Sequence, residues 1–93
     1  MAKVVIRRDG SREPFDEGKI RRAIEAAARE AGLPADRVTA VVNQVANVVL
    51  AFAAPKEEIS TLDIRAKVLG LLDQMEPSVS AAWRRFDKTR GRE

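Results

Sequence analysis

Cysteine and histidine are both missing from this 93-residue chain. Without cysteine there is no disulfide scaffold, zinc ribbon, iron-sulfur cluster or thiol nucleophile. Without histidine the usual near-neutral general base and the commonest metal ligand are gone as well. No long apolar run opens the chain, and the apolar stretch around residues 41–52 is broken by Asn43, Gln44 and Asn47. Neither an export signal nor a membrane span is expected, and the chain reads as cytoplasmic. Neither G-x-x-x-x-G-K-[ST] nor G-x-G-x-x-G occurs, so a nucleotide site, if there is one, is not built on a glycine-rich loop. No spaced pair of carboxylates stands out for acid-base work, and a non-catalytic protein is expected.

What is present suits one folded domain. Hydrophobic residues make up 45% of the chain and charged residues 33%, and the length leaves room for a single core. Seventeen Lys and Arg against 14 Asp and Glu leave a net charge of +3. That is a weak electrostatic footprint for a nucleic-acid partner despite the basic isoelectric point.

Val4-Val5-Ile6 leads through Arg7 and Arg8 to Asp9-Gly10, a hairpin signal, and Ser11 to Phe15 return antiparallel. A two-residue turn would set Arg7 opposite Arg12, a disfavoured like-charge pair. A three-residue Arg8-Asp9-Gly10 loop pairs Arg7 with Ser11 and Val5 with Glu13. Val5, Arg7, Ser11, Glu13 and Phe15 then share one face, and this register is preferred.

Asp16 reads as the N-cap of a first helix with Ile20, Ala23, Ile24, Ala27 and Ala31 on its apolar face, ended by Gly32 and Pro34. A second helix over 35–53 presents Val38, Val41, Val42, Val45, Val48, Val49 and Phe52. A strand over 41–52 is the alternative, but the polar residues fall at helical spacing. Glu58 to Ser60 is short enough for an edge strand. Thr61 is a plausible N-cap for a third helix to about Met75 on Ile64, Val68, Leu71 and Leu72. Pro77 opens a fourth with Val79, Ala82, Trp83 and Phe86, and Asp87 to Glu93 is expected to fray. The pattern predicts one α+β domain over 1–90, with 91–93 as a polar tail: a small sheet lying on a helical bundle.

The cations near the hairpin are unusual in placement. Arg7 and Arg8 sit at its tip, and Lys19 lies in the first turn of the next helix, where a positive charge opposes the helix dipole. An anion between these cations and the helix N-terminal N–H groups would turn each penalty into a gain. Solvated surface charge is the plainer explanation on spacing alone.

The run Val5-Ile6-Arg7-Arg8-Asp9-Gly10-Ser11-Arg12-Glu13-Pro14-Phe15-Asp16, followed by Lys19-Ile20-Arg21-Arg22-Ala23-Ile24, resembles the opening signature of the ATP-cone domain. Ile59-Ser60-Thr61-Leu62-Asp63-Ile64 and Ala82-Trp83-Arg84-Arg85-Phe86 resemble its later segments, so the likeness covers nearly the whole chain. ATP-cones are regulatory modules binding ATP or dATP, found in ribonucleotide reductase large subunits and beside a zinc ribbon in a repressor of reductase genes. The resemblance implies an α+β fold of about four helices capped by a small three-stranded, mostly antiparallel sheet, with Glu58 to Ser60 as the third strand. It implies that Arg7, Arg8 and Lys19 hold phosphates and that Glu13 accepts from an adenine amine. Val5, Phe15 and Ile20 would line the slot for the ring, and Thr61 and Arg65 would stand near the base and ribose. Magnesium would accompany the triphosphate.

Three departures from the family pattern stand out. Arg7 replaces the usual Lys, Trp83 replaces Tyr, and Asp87-Lys88-Thr89-Arg90 replaces a more apolar end, where Lys88 or Arg90 would add a phosphate contact. The implied partners are a second copy of the chain or a ribonucleotide reductase-type protein. Two rivals compete: a nucleic-acid module using Arg84, Arg85, Lys88, Arg90 and Arg92 with Trp83 as a stacking residue, and a helical adaptor that keeps the fold without the nucleotide.

Overall fold

The computed structural model describes residues 3–90, with side chains through Phe86. Strands β1 (Val4–Ile6) and β2 (Arg12–Pro14) precede helices α1 (Glu17–Glu30) and α2 (Ala35–Ala53); β3 (Glu58–Ser60), α3 (Thr61–Met75) and α4 (Pro77–Arg90) complete the order. The strands lie in the order β2-β1-β3, with β1 antiparallel to β2 and parallel to β3. The small cap is therefore a mixed sheet. Its third strand arrives from the end of α2 and runs alongside β1.

The hairpin adopts the three-residue register. Val5 faces Glu13 and Ile6 faces Arg12, so the Arg7–Arg12 apposition does not arise. Arg7 N–H donates to Ser11 O at 2.8 Å, and Gly10 N–H donates to Arg7 O at 2.9 Å. Gly10 takes φ +89°, a left-handed conformation that only glycine adopts freely. Asp9 accepts from the Ser11 N–H at 2.9 Å and hydroxyl at 2.7 Å, which ties the loop and holds its carboxyl below the usual carboxylate range.

Each helix packs on two others, α1 on α2 and α4, and α3 on α2 and α4, around one apolar core. Ile24, Val41, Val45, Val49, Val68, Leu72 and Val79 are fully buried there. The β-branched valines of α2 are poor helix formers, and burial on this face stabilises the helix they form. Two apolar positions differ from the periodic expectation. Ala23 is exposed while Ala28 is buried, and Val48 is exposed while Ala46 is buried. With two neighbours on each helix, the buried stripe widens toward the small residues, where backbones approach closely.

Ser60, and not Thr61, caps α3: its hydroxyl accepts from Asp63 N–H at 3.0 Å. β3 runs into α3 with no loop, and the extended backbone of its last residue is the conformation an N-cap needs. Helix α4 continues through Arg90, past the fraying expected from Asp87. Residues 91–93 lie outside the described residues.

A second, smaller apolar cluster of Val5, Ala53 and Ile59 lies under the sheet. Phe15 and Ile64 pack against both clusters and so form the joint between cap and bundle.

Candidate functional site

A cleft of about 210 Å³ opens at that joint. Its apolar wall comes from Val5 on β1, Phe15 after β2, Ile20 on α1, Ile64 on α3 and Trp83 on α4. Glu13 stands on the same sheet face as Val5, directly opposite it. Arg8 from the hairpin loop, Lys19 from the first turn of α1, and Thr61 and Arg65 from α3 complete the rim. The volume lies below the roughly 300–1,000 Å³ of clefts that enclose drug-sized ligands.

The electrostatics centre on Glu13. Its Oε2 lies 3.1 Å from Arg7 Nη1, and its Oε1 lies 3.6 Å from Lys19 Nζ. Arg7 and Lys19 thus converge on one carboxylate from the hairpin and the helix. Asp16 does different work: its Oδ1 accepts from Gly18 N–H at 2.9 Å and Lys19 N–H at 3.4 Å. Two of the helix N-terminal N–H groups are therefore already satisfied. An anion arriving here meets side-chain cations first.

Residues 3–90 match the family pattern of the ATP cone domain. This chain belongs to the ATP cone family. That family is a nucleotide-binding regulatory module. Among curated relatives, the transcriptional repressor NrdR of Chloroflexus aggregans is 33% identical over 73 residues, which is 78% of this chain and 41% of the relative. The NrdR repressor of Microcystis aeruginosa is 36% identical over 70 residues, 75% of this chain and 40% of the relative. The cone therefore spans about two-fifths of the length of the curated relatives it matches.

Eight residues singled out from the sequence of this cone line the cleft: Val5, Arg8, Glu13, Phe15, Lys19, Ile20, Thr61 and Arg65. Arg7 is not among the lining residues and reaches the site through Glu13. Lys88 and Arg90 belong to the last turn of α4, and their side chains lie outside the described residues.

The sequence reading missed Pro14, Asp16, Ala23, Leu62, Ile64 and Trp83 as cleft residues. Trp83 and Ile64 carried an ordinary core signal, and both do pack against the core while turning one side to the cleft. The one available signal was Ala23. An alanine amid long charged side chains on α1 leaves space beside Ile20.

Arg84 forks onto Asp73 with both contacts at 3.1 Å. With help from the Ser80 hydroxyl, that fork holds the Asp73 carboxyl at about 2. Arg84 is thus engaged in joining α4 to α3.

Among the described residues, no group of three or more acidic side chains is placed to hold a metal ion. No helix among them is long and apolar enough to cross a membrane.

Proposed function

We propose that this cone binds an adenine nucleoside triphosphate, ATP or dATP, with the base in the cleft and the phosphates on the cationic rim. Val5, Phe15 and Ile20 flank the ring, Glu13 accepts from the exocyclic amine, and Thr61 and Arg65 stand toward the ribose. Arg7, Arg8 and Lys19 take the phosphates, and magnesium arrives as part of the ligand. Lys88 and Arg90 are further phosphate candidates from the sequence.

The observation that carries this reading is the meeting of apolar wall and cations. Two groups of elements far apart in sequence, β1, β2 and α1 from one and α3 and α4 from the other, bring them to one opening at the sheet–bundle joint. A micromolar site needs about 8 kcal/mol, which several charge-assisted bonds and the burial of a base can supply.

Occupancy is proposed to act by shifting self-association or docking to a partner, which requires tighter binding to one assembly state than to another. The curated relatives are transcriptional repressors, which supports a nucleotide-sensing role inside a longer regulatory protein. A reductase-type partner remains the other proposal. The nucleic-acid reading of this segment itself is less well supported, because Trp83 is half-buried beside the cleft and Arg84 is held by Asp73.

The test is titration with ATP, dATP and GTP by calorimetry and by the fluorescence of Trp83, the one tryptophan in a chain without tyrosine. Saturable heat and a fluorescence change with the adenine nucleotides support the reading. Absence of both at millimolar concentration refutes it. Mass measurement with and without dATP tests the coupling to assembly.

A further inference from the structure

Two of the cations proposed for phosphate, Arg7 and Lys19, share a carboxylate of the same site. Glu13 divides its oxygens between Arg7 and Lys19, at 3.1 and 3.6 Å, and at 28% side-chain exposure it is less exposed than either cation, at 40% and 61%. The other carboxylate at the cleft, Asp16, is committed to the N–H groups of α1. Glu13 is thus the cleft carboxylate that a change of partners can release.

We infer that Glu13 serves as an internal counter-anion whose displacement by a polyphosphate makes it available to the base, so that the cone selects ligands carrying both parts. This deepens the proposed function and rests on the cleft being a nucleotide site.

The physics is a competition followed by a handover. A polyphosphate carries more charge than one carboxylate and draws Arg7 and Lys19 to itself. Glu13 is then left beside an anion, and like-charge repulsion turns it away from the phosphates. An amine donor in the cleft satisfies it. A nucleoside alone would have to strip Glu13 from two cations without replacing it. A phosphate chain alone would leave the carboxylate without its former partners. Only a ligand with base and polyphosphate satisfies every group, which discriminates against nucleosides and monophosphates.

The experiment uses inorganic tripolyphosphate, the ligand without its base, on the wild type, Glu13→Gln and Glu17→Gln. Glu17 lies in the first turn of α1, pairs with Arg21 and is not among the residues lining the cleft, so its replacement removes the same charge without removing the competitor. Tripolyphosphate is expected to bind Glu13→Gln about fivefold more tightly than wild type, the ratio that releasing two exposed or half-exposed ion pairs gives. Glu17→Gln should stay within about twofold of wild type.

Equal affinity for wild type and Glu13→Gln, an equal gain in Glu17→Gln, or no binding to Glu13→Gln overturns the inference. A second measurement needs no variant: the Glu13 side-chain carboxyl carbon, followed by NMR in the wild type, should shift on adding tripolyphosphate alone. A resonance that stays in place at saturation also overturns it. ATP on the wild type separates the two levels. If ATP binds while the tripolyphosphate ratio is flat, only the counter-anion role falls; if ATP does not bind, the nucleotide site itself falls and the inference goes with it.

Discussion

Replacing Lys19 by Gln separates a binding residue from a stabilising one, because its two contributions to the fold have opposite signs. In the unliganded protein its ammonium lies 3.6 Å from Glu13 and is 61% exposed. Such an exposed pair contributes about 0.2–1 kcal/mol. The same charge sits in the first turn of α1, where it opposes the helix dipole by about 0.3–1 kcal/mol. Removing it loses the first term and recovers the second, so the net change in stability stays within about 0.8 kcal/mol of zero. At roughly 4–8 °C per kcal/mol for a domain of this size, the melting midpoint should move by no more than about 6 °C in either direction. Binding is different: the charge-assisted bond to phosphate, about 1.5–3 kcal/mol, is offset only by the exposed Glu13 pair that the ligand no longer has to break, about 0.5 kcal/mol. ATP affinity should therefore fall about 5- to 70-fold. Trp83 fluorescence titration reads the affinity, and thermal unfolding of the same samples reads the fold. An ATP affinity within threefold of wild type, with the midpoint unmoved, would refute the assignment of Lys19 to phosphate.

Other substitutions test the fold and its links to the site. Ser60→Ala removes the cap of α3 and should destabilise by about 0.5–2 kcal/mol in denaturant unfolding, whereas Thr61→Ala should stay within about 0.5 kcal/mol; the reverse order would show the cap to be misassigned. Ile24→Ala opens a cavity at a fully buried position and should destabilise by about 2–5 kcal/mol, and ATP at 100 times its dissociation constant should raise the variant's stability by about 2.7. A loss under about 1 kcal/mol would contradict the packing described. Asp73, with its carboxyl held at about 2 against 3.8 for the free group, binds fewer protons folded than unfolded in acid. Its contribution to stability is thus present above about 3.8 and lost as the pH falls toward 2. Asp73→Asn should flatten the acid limb of a stability-against-pH curve between those values, and an unchanged limb would count against the Arg84 and Ser80 contacts.

Much of the architecture was legible because its signals are local. Asp9-Gly10 with the penalty for opposing Arg7 and Arg12 selects the hairpin register, and the structure adopts it. Asp16, Gly32, Pro34 and Pro77 punctuate helices whose apolar spacing is plain, and the second helix runs over the expected Ala35–Ala53. Val5, Glu13 and Phe15 could be placed on one strand face because strand side chains alternate with a fixed period. The cationic corner was not settled in this way: on spacing alone Arg7, Arg8 and Lys19 read most simply as solvated charge, and it was the family resemblance that pointed to them.

What the chain alone determined, then, was the set of elements, the hairpin register and the family, each carried by residues near one another in sequence. Only the tertiary structure decided that β3 pairs parallel to β1, that Ser60 takes the cap, that Ala28 and Ala46 are buried in place of Ala23 and Val48, and that Trp83 turns one side to a cleft. These outcomes depend on which helix faces lie against which neighbours, and periodicity along one helix contains no information about the others. The same holds for Glu13. Its face could be read from the hairpin, but its division between Arg7 and Lys19 exists only because the sheet sets the hairpin beside the first turn of α1.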